Sequence, residues 1–254
     1  PDKYTLNPGA YFLAEEVIFP SKASLEIKPG VSIKMNPDVS LLVRGPFKAI
    51  GRLDQQIQII NNQEKPFGAF AILGDSSSLV PVNIKNFNSS GGSEEVIHGI
   101  YFSSQFSVHY GIVSIDSSSF KNSFSDDGLN IKFSSVQIEN SIFQNNSADQ
   151  IDLDFSHGKV TNNKFSFLKD NSKDFSTDGL DVSGSNIFIS GIIFSGMTDK
   201  GISVGEASDV IIYKNIINKN NNGIAVKDAS SVCILGNSFQ NNAIDINSYV
   251  KKKM

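Results

Sequence analysis

The chain reads as an all-β solenoid, a parallel β-helix in which about 22 residues make one coil of three short strands. Three observations predict it. A strand of the form Gly-apolar-x-apolar keeps returning through the second half of the chain, and two further alternating apolar stretches recur inside each interval. The composition also favours strands and turns: Ile, Val and Phe supply most apolar residues, Ser, Asn and Gly supply most of the rest, and good helix formers are sparse.

The first strand appears as Gly128-Leu129-Asn130-Ile131, Gln150-Ile151-Asp152-Leu153, Gly179-Leu180-Asp181-Val182, Gly201-Ile202-Ser203-Val204, Gly223-Ile224-Ala225-Val226 and Ala243-Ile244-Asp245-Ile246. The second is seen in Val136-Gln137-Ile138, Ile187-Phe188-Ile189, Val210-Ile211-Ile212 and Val232-Cys233-Ile234, and the third in Ile142-Phe143, Ile193-Phe194, Ile216-Ile217 and Phe239. Strands this short cannot bury their apolar sides alone, so successive periods must stack and pair strand on strand. One interval is longer by about seven residues, and the polar stretch 167–176 is expected to bulge there as a loop. Weaker copies run upstream through residues 25–33, 41–49, 57–60, 70–72, 84–87, 99–102 and 113–120. Roughly 11 coils at about 4.8 Å each would make a rod on the order of 50 Å long. A leucine-rich repeat has an overlapping period, but the repeats carry Ile, Val and Phe where it needs Leu, and no inter-strand segment is long enough for a helix.

The expected organisation is one domain over residues 1–254, and a start at Pro1 rather than Met points to a fragment of a longer protein. A formal charge of -4, with Arg44 and Arg52 the only arginines, argues against nucleic-acid binding. Lys251, Lys252 and Lys253 read as a solvated tail. No apolar run in the fragment is long enough to span a membrane. A single Cys233 excludes an internal disulfide framework.

Strand alternation then places the charges. With Ile151 and Leu153 inward, Asp152 and Asp154 face outward about 7 Å apart. Stacking is expected to set Asp152 between Asn130 and Asp181, continued by Ser203, Ala225 and Asp245. A second column would run Lys132, Asp154, Ser183, Gly205, Lys227 and Asn247, and a third Phe133, Phe155, Gly184, Glu206, Asp228 and Ser248. Asp127, Asp149, Asp178 and Lys200 would form a fourth. Single turn aspartates mostly solvate a solenoid or form Asx turns. Asp152 and Asp181 stacked as like charges call for a cation, a shared proton or a ligand.

Three chemistries suit such a face. Paired carboxylates serve glycoside hydrolysis, the outcome depending on their separation. Carboxylates such as Asp152 and Asp181 could instead hold Ca²⁺ and bridge to an acidic sugar, with Lys200 or Lys227 as a base if its pKa is depressed. The face could also bind sugar hydroxyls without chemistry. His157 lies in a turn after the acidic strand, His98 and His109 show no partners, and the runs Asn145-Asn146, Asn220-Asn221-Asn222 and Asn241-Asn242 read as turn residues stacking in amide ladders.

At these repeats the sequence resembles the right-handed parallel β-helix superfamily typified by pectate lyases, in particular its degenerate repeats known as carbohydrate-binding and sugar hydrolysis domains. The stretch IKPGVSIKMNPDVSLLVRGPFKAIG, residues 27–51, is similar to the first coils of bacterial surface β-helix proteins, and DGLDVSGS, DKGISVGE and GIAVKD resemble a subgroup of them. The resemblance covers nearly the whole chain and implies a right-handed solenoid with a carbohydrate connection. Catalytic patterns transfer poorly. Asp126-Asp127 and His157-Gly158 only partly echo polygalacturonase motifs, whose Arg-Ile-Lys is missing, as is the alginate-epimerase signature Tyr-Gly-Phe-Asp-Pro-His. Pectate lyases use an Arg base, and no Arg lies near the acidic strands.

The combined expectation is an exported protein, extracellular, at the cell surface or periplasmic, that binds a polysaccharide or processes it as a lyase, hydrolase or epimerase. Asp152, Asp154 and Asp181 would be acids, bases or metal ligands, and Lys200 and Lys227 would serve as base or charge stabiliser. Asp178, Glu206, Asp228 and His157 would contact substrate. The competing expectation is a non-catalytic structural or adhesive rod, or an accessory module of a larger enzyme.

Overall fold

In the computed structural model, which describes residues 2–124, 126–168 and 175–251, no helix forms among the described residues. Among the described residues the chain winds through three sheets of ten parallel strands each, in which every strand pairs with its counterpart in the adjacent coil. That is the parallel β-helix the repeats predict, with ten coils rather than about 11.

The count falls short because residues 99–102 are not a coil strand. Glu95–Ile97 and Ile100–Phe102 form an antiparallel hairpin instead. His98 and Gly99 make its turn at φ 50° and 80°, a pair of left-handed residues whose twist suits a two-residue connection. The hairpin buries Ile97 and Phe102 against Leu42, Ala69, Ala71 and Leu73, so it covers the outer face of the third sheet over the early coils. The coil strand that follows is Phe106–His109.

Inward side chains stack because consecutive coils pair in register. Phe120, Phe143, Phe165 and Phe194 are one column, with ring centroids 5.4, 5.0 and 4.8 Å apart and nearly parallel planes. Turn polar groups stack too. At the corner between the third and first sheets, the N–H of Ser134 donates to Ser156 Oγ, that of Ser156 to Ser185 Oγ and that of Ser185 to Ser208 Oγ, at 3.1, 2.8 and 3.0 Å. Asparagine does the same elsewhere: Met197 N–H donates to Asn220 Oδ1 and Asn220 N–H to Asn242 Oδ1, both at 3.0 Å. Asn145 and Asn241 adopt φ near 58° and 54°. The Asn runs therefore do what turn chemistry asks of them, satisfying backbone groups that a corner would otherwise bury unpaired.

One register expectation fails. In the last coil Asn247, not Asp245, pairs with Ala225, and Tyr249, not Asn247, pairs with Lys227. A slip of two residues keeps every side chain on its own face, so alternation alone cannot detect it. The hydrogen bonds from Ala243 N–H to Asn220 O and from Ile244 N–H to Asn221 O fix the observed register. Of the loop expected at 167–176, residues 169–174 lie outside the described residues, as do Lys252 and Lys253 of the expected tail; Lys251 is exposed.

Candidate functional site

The third sheet carries the site. Its outward column runs Leu42, Ala71, Ser107, Asn130, Asp152, Asp181, Ser203, Ala225 and Asn247, and the column beside it runs Leu73, His109, Lys132, Asp154, Ser183 and Gly205. The apolar start lies under the hairpin.

Asp152, Asp154, Asp181, Glu206, Lys227 and Asp228 line one cleft of about 150 Å³, together with Ser183, Gly205 and Lys251. Strand pairing brings Asp152 beside Asp181 and Lys132 beside Asp154. The Lys132 ammonium pairs with Asp154 at 2.9 Å, and this pairing outweighs burial to hold its pKa above the usual lysine value. Burial, followed by the charges of Asp154 and Asp181, holds the Asp152 carboxyl well above the usual range. Lys227 is buried and lies across Gly205; a Cβ there would meet its Cε at 3.4 Å. Its Nζ is 4.0 Å from Asp181 Oδ1, beyond hydrogen-bonding distance.

Lys200 and Asp178 belong to a different local arrangement. Asp127, Asp149 and Asp178 form a ladder in which each carboxylate accepts the backbone N–H of the next coil: Asp149 onto Asp127 at 3.1 Å, Asp178 onto Asp149 at 3.1 Å, Lys200 onto Asp178 at 3.0 Å. The Lys200 ammonium lies 3.3 Å from both Asp178 oxygens and also contacts Asp199. These carboxylates outweigh burial and raise the Lys200 pKa, the opposite of the depression on which a base role for Lys200 depends. His157 opens a strand of the first sheet, exposed and paired with Ser135 and Asn186, so the structure separates it from the acidic cleft.

For a metal, the group of three carboxylates whose oxygens approach one another within 4.8 Å among the described residues is Asp149, Asp178 and Asp181, which shares Asp181 with the expected pair of Asp152 and Asp181. Hard oxygen donors of this kind suit Ca²⁺. Burial, then the neighbouring carboxylates, holds Asp149 well above its usual pKa; burial also pushes Asp178 up to about 6 despite Lys200. Lys200 already supplies a positive charge there, so an ion would have to compete with it.

Two functional candidates carried no assigned role in the sequence reading. Asn130, fully buried, donates Nδ2 to Asp152 Oδ2 at 2.8 Å and to Asp154 Oδ2 at 3.3 Å, tying the two carboxylates together. His109 is buried under Phe102, with ring centroids 4.8 Å apart, and its Nε2 has no hydrogen-bond partner. Burial and then Lys132 push its pKa down to about 4. The signal for Asn130 is its place in the repeat; His109 carries none, because its strand, Phe106–His109, lacks the glycine that opens most copies of the recurring strand.

A family model described as a right handed beta helix region matches residues 71–251. Comparison with curated proteins finds no match. Among solved structures, the chain is similar to an alginate lyase from Paenibacillus sp. str. FPU-7, at 13% identity and a TM-score of 0.28, covering 88% of this chain and 93% of that one. It is also similar to ORF18 of Geobacillus virus E2, at 12% identity and a TM-score of 0.27, covering 99% of this chain and 54% of that one. At these TM-scores neither likeness bears on the chemistry of the site.

Proposed function

The chain belongs to the right-handed β-helix family, and on that scaffold we propose an exported protein that binds an extracellular or envelope polysaccharide along the outward acidic face of the third sheet. The family supports the rod; the substrate class has to be argued from the site. The observation that carries the reading is the polar column itself. Asn130, Asp152, Asp181 and Ser203 repeat at coil spacing, about 4.8 Å, beside the cleft lined by Asp154, Glu206, Lys227 and Asp228. A polymer laid along the rod would meet the partly exposed carboxyls of Asp152 and Asp181 in adjacent coils, with Asn130 and Ser203 buried beside them. The start of the same sheet face is closed by the hairpin, which gives such a track an end.

A second reading, that the polymer is also processed by a lyase, hydrolase or epimerase step, is favoured by one further observation. Asp152, whose carboxyl burial holds well above the usual range, stands on the same strand as Asp154, and a carboxyl that keeps its proton is suited to the role of a general acid. In that case Asp152, Asp154 and Asp181 would move protons and Lys227 would stabilise charge. Ca²⁺, if used, would sit at Asp149, Asp178 and Asp181. The ladder through Asp127, Asp149 and Asp178 favours a purely structural role for that part of the acidic set.

The test is incubation of the protein with neutral, uronate-rich and amino-sugar polysaccharides, with and without Ca²⁺. Retention of a polymer on immobilised protein supports binding, and new oligosaccharides in the mass spectrum add processing; epimerisation, which leaves mass unchanged, is read by NMR. Neither retention nor products with any polymer would overturn the proposal.

A further inference from the structure

Two atoms left without a hydrogen-bond partner on the acidic face share one property. Asp181 Oδ1 and Ser203 Oγ are buried and unpaired among the described residues, and both can accept a hydrogen bond. Asn130, in the same column, donates its amide to Asp152 and Asp154. Asn130 and Ser203 are each 0% exposed and stand in the same outward column as Asp152 and Asp181. A buried acceptor without a donor is costly, and the cost here recurs within a few coils.

Charge points the same way. Lys132 contacts Asp154, Lys200 contacts Asp178, and Lys227 approaches Asp181 only to 4.0 Å. Asp149 and Asp152 make no ion pair with a lysine among the described residues. A ligand that fits must bring hydrogen-bond donors and positive charge together. A polyuronate brings charge of the wrong sign, and a neutral sugar brings donors without offsetting the charge.

We propose that the cleft recognises the ammonium group of an amino sugar, so that the ligand is a glycan carrying free, non-acetylated amines. This rests on the glycan-binding reading of the same face. An alkylammonium carries three donors and a full charge, which suits Asp181 Oδ1 and Ser203 Oγ. Lys227 shows that a chain-borne ammonium fits over this surface without completing a hydrogen bond to Asp181. The ligand's ammonium supplies the contact that Lys227 does not make.

The experiment is isothermal titration calorimetry of the whole chain in EDTA and moderate salt at mildly acidic pH, with three probes: a glucosamine hexamer, its fully N-acetylated counterpart and a galacturonate hexamer. The glucosamine hexamer is expected to bind at least tenfold more tightly than the acetylated one, because acetylation removes the charge from a desolvated contact. Asp181→Asn and Ser203→Ala should each weaken it about tenfold while melting as folded proteins. Asp54→Asn combined with Asp209→Asn, which removes two exposed carboxylates elsewhere, should leave binding unchanged. Equal weakening in that control would mean unspecific attraction and overturn the proposal. Tighter binding of the acetylated or galacturonate hexamer, including galacturonate binding that appears only with added Ca²⁺, would overturn the amine specificity and leave the glycan reading standing. Binding of none of the three would overturn this inference, and the wider polysaccharide panel would then decide the glycan reading separately.

Discussion

A buried carboxylate cluster must make the fold sensitive to pH in a direction opposite to ordinary acid denaturation. Asp178 is 6% exposed, and burial moves its pKa from 3.8 to about 6. Between those values the folded chain binds more protons at this site than the unfolded chain does, so stability falls as pH rises through the window. The contribution is complete below the unfolded value and gone above about 6. A shift of this size corresponds to about 3 kcal/mol at roughly 1.4 kcal/mol per pH unit. For a chain of this length that is about 6 °C in Tm. Asp127, Asp149 and Asp152 shift in the same direction and add to the effect. Glu26 works the other way: the ammonium groups of Lys3, Lys28 and Lys48 around it pull its pKa from 4.5 to about 2, and its contribution is already complete above 4.5. Differential scanning calorimetry at steps from pH 4.5 to 8 should therefore show Tm falling, and Asp178→Asn should flatten part of the fall. A Tm that rises across that range, or an Asp178→Asn protein with the wild-type slope, would refute the electrostatic account.

Other consequences follow from named contacts. Lys200→Met leaves Asp178 without its buried partner and should cost about 3–5 kcal/mol near pH 8; millimolar Ca²⁺ should recover part of the lost Tm in that variant and not in wild type, since the Asp149, Asp178 and Asp181 oxygens are then free to coordinate. Phe143→Ala breaks the ring column between Phe120 and Phe165 and should lower unfolding free energy in urea by about 3–5 kcal/mol. The imidazole of His109 should remain neutral in NMR titrations down to about pH 5, given a pKa near 4; a midpoint near 6.5 would mean that the hairpin does not bury it.

How much of this was readable from residues alone depends on what each feature rests upon. The coil and its outward columns follow from spacing, because parallel in-register stacking carries a sequence period directly into space; Asn130, Asp152 and Asp181 are neighbours for that reason. In sequence the hairpin at Glu95–Phe102 looks like a coil strand because Gly99-Ile100-Tyr101-Phe102 has the same alternation as one, and only pairing direction separates them. Asp245 was placed by a rule that is blind to a two-residue slip. Lys200 and Lys227 looked alike as cations over an acidic face, yet one is held between Asp178 and Asp199 and the other lies across Gly205. Side-chain reach decides that, and a repeat does not encode it. The cover over His109 comes from residues outside the repeat altogether.

The most direct test of the central claim is hydrogen–deuterium exchange of the protein with and without whichever polysaccharide it retains. The account predicts added protection confined to the third-sheet strands Ile151–Asp154, Asp178–Ser183, Lys200–Gly205 and Asn222–Lys227 and the turns beside them, lost in Asp181→Asn. Protection centred instead on the outer faces of the first or second sheet would contradict it.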